Sequence, residues 1–323
     1  MRTNFNLSPI LKIIISLFLL ALLVWFMRDS LGRIFSELKN ANKTLFLASF
    51  IIFTFILSVL NSLRLNIILR DEKIFISLKN ITQLTFIGYF FNNFMPTAVG
   101  GDIVKAYYVS KNTPLKGESF VCVFMDRFIG LFSLVLLGVL ALLFNGGSVD
   151  SGIRVKLAIT LILIICAIAV VISKKATSLV TRLFAVFSFR NLGTKLTELY
   201  GMVHGYRNKA HLLWKAAGLS LVAQSSFFIS IFVLSLALDL DISLRTVFLV
   251  MPIVNAVSVL PSMGGLGFRE MSMVVLFAPF IGKDNAFSLS LLLLGVLTAA
   301  SFLGGFIYLV SPQFRFTRKG VKK

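Results

Sequence analysis

The chain has 323 residues, 57% of them hydrophobic and 14% charged, and its mean hydropathy is +0.92. A soluble domain is about 45–50% apolar and about 25% charged, so this composition excludes an ordinary soluble fold and predicts an all-α polytopic membrane protein. The formal charge of +19 comes from 32 Lys+Arg against 13 Asp+Glu. With no zinc-finger spacing or basic-aromatic strand motif beside it, that excess fits loops meeting anionic lipid heads and not nucleic acid.

In chain order, Ile10–Met27 is apolar after a weakly basic start. It lacks a small-x-small cleavage site and ends in Trp25-Phe26-Met27-Arg28, so it reads as a retained first span with an interfacial Trp. Leu31, Ile34, Phe35 and Leu38 then form a helical stripe. The stripe fits a helix lying on the membrane surface or a solvated linker. Further spans are expected at Thr44–Leu69, Phe120–Phe144, Leu157–Ser173, Leu212–Leu238 and Phe287–Val310, each near the ~20 residues that cross a bilayer. Leu192, Leu196, Leu199 and Val203 make a second amphipathic stripe in the basic stretch before the fifth span. Cys122 and Cys166 fall inside spans and suggest no disulfide, while His204 and His211 lack further metal ligands. No cofactor is expected.

Two more apolar segments, Ile81–Val109 and Val247–Ile281, are interrupted in the same way. The first carries Asn92-Asn93-Phe94-Met95-Pro96-Thr97-Ala98-Val99-Gly100-Gly101-Asp102-Ile103-Val104-Lys105. The second carries Asn255, then Leu260-Pro261-Ser262-Met263-Gly264-Gly265-Leu266-Gly267-Phe268-Arg269-Glu270. Pro and Gly end helices. Unwound backbone is tolerated at membrane depth only inside protein or beside a water-filled cavity. The segments are therefore read as re-entrant helical hairpins; two ordinary helices per segment is the alternative. Paired interruptions in two halves of a membrane protein point to a transporter's binding site.

With the N-terminus inside and both hairpins re-entrant, 22 Lys+Arg lie on the cytoplasmic side and 8 on the other, setting aside Arg127 and Arg269. The inside set includes the Arg64–Lys79 segment and Lys105. This bias predicts both termini in the cytoplasm. It makes one domain, residues 1–323, of two inverted repeats at about 10–145 and 157–310, with six full spans and two broken hairpins.

Ionisable residues at depth are costly and mark pathways or pairs. Asp126 and Arg127 lie inside one span. They form either a structural pair or a site in which Arg127 meets an anionic head group. Helix restarts after Gly100-Gly101 and after Gly264-Gly265-Leu266-Gly267 would present N–H groups to an anion, with Lys105 and Arg269 adding charge. Asp102 caps the first restart or belongs to the site. The candidate binding residues are thus Asn93, Gly100, Gly101, Asp102, Lys105, Asp126, Arg127, Asn255, Gly264, Gly265, Gly267, Arg269 and Glu270. Asn92 and Gln224 complete the site or satisfy freed backbone. No catalytic residue is assigned. Walker-type, His-Glu-x-x-His and Gly-x-Ser-x-Gly signatures are absent.

Three ordered motifs carry a family resemblance: Asn-x-x-Pro-x-x-x-Gly-Gly-Asp-x-x-Lys-Ala-Tyr from Asn93, Met125-Asp126-Arg127-Phe128-Ile129-Gly130-Leu131, and Leu260 through Glu270. Together they resemble the transmembrane domain of lysylphosphatidylglycerol synthase/flippase proteins, over almost the whole chain. Lys105 stands where relatives commonly have Arg. The resemblance implies a flippase-like protein of the inner or plasma membrane that moves an anionic or aminoacylated phospholipid, or a polyprenyl-phosphate lipid, between leaflets. Its partners would be membrane lipids and a separate lipid-modifying enzyme. Full-length relatives carry an aminoacyltransferase domain that this sequence does not include, so the transferase activity is not carried over. The alternative is a membrane subunit or enzyme acting on lipid head groups.

Overall fold

A computed structural model describes residues 28–95, 100–111, 113–144, 209–260 and 264–314, with isolated residues including 206 and 262. Among the described residues every regular element is helical. The predicted spans Ile10–Met27 and Leu157–Ser173 lie almost wholly outside these residues. So do the Leu192–Val203 stripe, Cys166, His204 and the Pro96–Val99, Pro261 and Met263 portions of the two breaks.

After a short turn at Arg28–Ser30, α1 runs over Leu31–Asn40. Its stripe packs on protein. Ile34 is buried against Val274 and Phe287, Leu31 and Leu38 pack beside it, and only Phe35 of the four stands exposed. Arg33 to Asp284, 3.2 Å, and Ser288 to Glu37, 2.5 Å, fasten the polar edges.

Asn42 caps the next helix by accepting from the N–H groups of Thr44 and Leu45. That helix, α2, runs Lys43–Asp71 and contains a π-helical stretch over Ile52–Leu57. At 29 residues it is about 43 Å long, enough to cross a bilayer. Three other helices meet the same standard: α5 (Lys116–Phe144), α6 (Ala210–Ala237) and α9 (Lys283–Val310). These four correspond to the predicted spans beginning at Thr44, Phe120, Leu212 and Phe287, each extended by a few residues.

Both interrupted segments are broken as predicted. Ile81–Val109 becomes α3 (Leu78–Phe94) and α4 (Gly100–Lys111). Val247–Ile281 becomes α7 (Leu244–Val257) and α8 (Phe268–Ile281). Each pair packs together. In the first, the helices nearly touch: a Cβ on Gly101 would overlap the Gly88 carbonyl.

α2 and α6 lie side by side and antiparallel at the centre. Their partners run in opposite order: Asn42 N–H to the Ala237 carbonyl, Ser49 to Ser230, Arg64 to Ser220, then Asp71 and Glu72 to Lys209. Small residues suit such contact in lipid, where backbone approach and hydrogen bonds replace the hydrophobic drive. Two apolar clusters sit at the ends of this pair. One joins Phe53 and Leu57 to Phe228, Val250, Met273, Phe277 and Leu293. The other joins Leu65 and Leu69 to Ile81, Tyr108, Val109, Val121 and Leu212.

Around the centre, α3 packs on α9 and α7 packs on α5; α4 packs on α5 and α8 on α9. The α3–α9 contact is made by glycine. A Cβ on Gly304 would overlap the Phe86 carbonyl, and one on Gly305 would lie 2.8 Å from the Phe90 ring.

Candidate functional site

The two breaks meet. Gly264, in a left-handed turn at φ +55°, lies so close to the end of α3 that an added Cβ would be 3.0 Å from Asn93 Oδ1 and 3.1 Å from the Asn92 carbonyl. Gly265 follows at φ +82°, where a side chain would also press on Ser258. These positions need glycine for both conformation and space. Asn92, Asn93, Asn255 and Ser258 are only half-buried here, so the junction is a polar recess inside an apolar molecule.

Each helix restart carries its own acceptor. The amide oxygen of Asn92 accepts from the Gly101 N–H at 2.7 Å. Glu270 accepts from the Gly267 N–H at 2.7 Å and from Arg269 at 2.6 and 3.0 Å. The Gly101 and Gly267 N–H groups expected to face an anion are therefore already bonded, by side chains standing where an anion would. Glu270 is fully buried, and Arg269 is 7% exposed. Mutual neutralisation makes that burial tolerable.

Asp126 and Arg127 do not pair with each other. Consecutive residues point about 100° apart around a helix, and the two turn to different partners. Asp126 accepts from Arg64 Nε at 2.6 Å, and Arg64 also donates to Ser220 Oγ at 2.8 Å. This buried network ties α2, α5 and α6 together. Arg127 reaches across to Asp102 on α4, which also has Lys105 Nζ at 3.9 Å one turn on. The three side chains differ in access: Asp102 and Lys105 are about a tenth exposed, whereas that of Arg127 is 45% exposed. Tyr89 and Asp126 lie in the electrostatic neighbourhood of Arg127. Arg127, about 16 Å along α5 from Lys116, is linked to the recess through Asp102, the neighbour of Gly101, whose N–H donates to Asn92.

The stem of Lys105 crosses Gly88, where an added Cβ would lie 2.7 Å from Lys105 Cε. Gly100 and Gly101 are buried at the start of α4. Gln224 donates to the Gly130 carbonyl at 3.5 Å, next to Arg64. It supports backbone near the Arg64–Asp126 pair.

Three participants were not singled out in the sequence: Arg64, Ser220 and Gly88. The charge count sets Arg64 on the cytoplasmic side although the expected span Thr44–Leu69 contains it; α2 runs to Asp71 and buries it. Lys105, counted on the same side, is buried too. Without both, the charge bias is 20 against 8 and keeps its direction. A signal for Arg64 is in the sequence: a basic residue within a run that otherwise spans, with an acid, Asp126, in another span.

A second polar cluster sits at the α2–α6 end that holds Asp71. Lys209 bridges Asp71 and Glu72 at 2.6 and 2.7 Å and lies over the Tyr206 ring. Burial works against the Lys209 charge, but the two carboxylates outweigh it, and its pKa is raised. Burial raises that of the Tyr206 hydroxyl. Among the described residues, no group of three or more His, Cys, Asp and Glu is arranged to hold a metal ion.

Comparison with known proteins agrees with the motifs. The UPF0104 membrane protein MJ1595 of Methanocaldococcus jannaschii is 33% identical over 129 residues, 39% of this chain. The match spans 37% of that relative's length. No solved structure matches. Residues 10–318 match the family described as the lysylphosphatidylglycerol synthase TM region. The chain is a membrane protein of that family.

Proposed function

We propose that the chain is a lipid translocase, moving an anionic or aminoacylated phospholipid or a polyprenyl-phosphate lipid between the leaflets of the cell membrane. The observation that carries this reading is the junction of the two breaks, Gly264 against Asn92 and Asn93, beside an accessible Arg127 deep in the bundle. Polar, half-exposed residues at that depth give a head group a path through the bilayer while its tails stay in lipid. Arg127 is the contact for the phosphate, since a guanidinium matches two phosphate oxygens at once. The Arg269–Glu270 pair braces the second break.

On this reading the breaks are re-entrant. Phe94, at the end of α3, packs on Phe302, eight residues before the end of α9 at Val310. That is about 12 Å along α9, well short of its far end. On the other side, Leu249 and Ile253 of α7 pack with Ala141 and Leu142 near the opposite end of α5. One hairpin dips from each face. The matched contacts, α3 on α9 with α7 on α5 and α4 on α5 with α8 on α9, support an inverted repeat about the antiparallel α2–α6 pair. Phe144 ends near the face opposite Lys209, as a crossing at Leu157–Ser173 requires. On this reading both termini lie in the cytoplasm, an orientation that the charge bias supports.

The test is leaflet exchange of labelled lipids by the purified chain in liposomes, run beside product formation with aminoacyl-tRNA or a sugar-lipid donor. Exchange without product is the expected outcome. Product without exchange would make the chain an enzyme or the membrane subunit of one, and so contradict the proposal.

A further inference from the structure

The charges around Arg127 do not balance. Arg64, Lys105 and Arg127 lie in one another's field with two carboxylates, Asp102 and Asp126. Asp126 is taken by Arg64 at 2.6 Å. Asp102 alone serves both Lys105 and Arg127. One positive charge is left without an acid among the described residues, and Lys105 is only 8% exposed. An uncompensated charge held that deep is costly and favours a counter-ion.

From this count we infer that the recess takes a head group bearing one net negative phosphate, and that it does so by exchange at Asp102. The inference rests on the translocase reading and narrows its substrate. Asp102 occupies the Arg127 guanidinium as a resident anion, in the place a phosphate takes. Arg127 is the accessible member of the pair and Asp102 the buried one, so an incoming phosphate meets the guanidinium first. The displaced carboxylate already has Lys105 one turn away at 3.9 Å. Occupied in this way, the cluster is neutral. A zwitterionic head group leaves the excess charge in place, and a cationic aminoacylated one adds to it. Phosphatidylglycerol, a phosphodiester monoanion, and a polyprenyl monophosphate in its singly charged form share the required chemistry.

Binding tests this without requiring transport. The purified full chain in detergent is titrated with dihexanoyl phosphatidylglycerol, dihexanoyl phosphatidylcholine, the lysyl ester of the former, and a short polyprenyl monophosphate. Half-saturation is read from thermal shift. The expected result is that one or both anions bind at least about tenfold more tightly than the zwitterion and the cation, a gap of the kind one charge pair makes. The tighter anion names the source. Asp102→Asn tightens anion binding by about tenfold, because Arg127 is freed. The melting temperature of each variant without lipid controls for folding. Lys105→Gln removes the preference for anion over zwitterion. Equal binding of all four lipids, tighter binding of the cation, or weaker anion binding in an Asp102→Asn variant that melts as the wild type does would overturn the inference. Anion selectivity in binding with no leaflet exchange would instead leave this inference standing and remove the translocase reading.

Discussion

Arg64 and Arg127 carry the same charge and do different work. Arg64 is locked between Asp126 and Ser220, 5% exposed, and is a fastener. Truncating it strands a buried carboxylate, which costs about 3–5 kcal/mol in comparable buried pairs. Arg64→Gln is therefore expected to lower the thermal stability of the detergent-solubilised protein markedly, and Arg64→Gln with Asp126→Asn to recover much of the loss. If the double variant is no better than the single one, the pair is not the source of the cost. Arg127 is partly open, so Arg127→Gln is expected to leave the melting temperature within a few degrees of wild type. At the Lys209–Asp71–Glu72 cluster near the surface, the raised pKa of Lys209 means its bridge contributes fully below the unfolded-state value near 10.5 and is lost as pH rises through the folded value. Stability across pH 6–9 should not report on this bridge, and Lys209→Met should leave its slope over that range unchanged. The sequence points to Asp126 and Arg127 by their depth in a span, and to Asp102 and Lys105 by the helix restart after Gly100-Gly101. It did not reveal who pairs with whom, because partners on different helices depend on rotation and tilt that no local pattern encodes.

Helix pairs, not single helices, hold the recess. Gly88 and Gly101 bring α3 and α4 into backbone contact, but substitution at each meets a different obstacle. At Gly101 the obstacle is the Gly88 carbonyl, which cannot move without separating the helices. At Gly88 it is the flexible end of Lys105. Gly101→Ala is thus expected to abolish folding or reduce yield severely. Gly88→Ala is expected to fold and to alter only lipid selectivity through Lys105. Similar yields of the two variants in a size-exclusion assay would contradict the close packing. Pro and Gly in the sequence marked both interruptions, and the helices stop within a few residues of them, because chain breaking is local chemistry. The use of the Leu31–Leu38 stripe was less legible. An amphipathic face reports that something apolar covers it, and here Val274 and Phe287 do so, more than two hundred residues away in sequence.

At the scale of the whole molecule, the contact pattern of one half is echoed in the other, with α2 and α6 antiparallel between them. The re-entrant arrangement predicts where each break is reachable. In a background with Cys122 and Cys166 replaced by Ser, Met95→Cys should resist an impermeant thiol reagent added on the face that labels Lys39→Cys. If α3 and α4 were full spans, Met95→Cys would be labelled from that face. The hydropathy of the chain makes the membrane class, the four long apolar helices among the described residues and the two broken segments legible, since apolar length is read directly against bilayer thickness. It left open how deep the broken segments go, because depth is set by packing on α9 and α5. The central claim is that a lipid phosphate crosses by way of Arg127 where the breaks meet. It is tested most directly by leaflet exchange of a labelled anionic phospholipid in liposomes carrying either the wild-type chain or Arg127→Gln at equal reconstituted amounts. Exchange well above empty liposomes for the wild type, lost in the variant, is the predicted result. Wild-type liposomes no faster than empty ones, or a variant as fast as wild type, would contradict it.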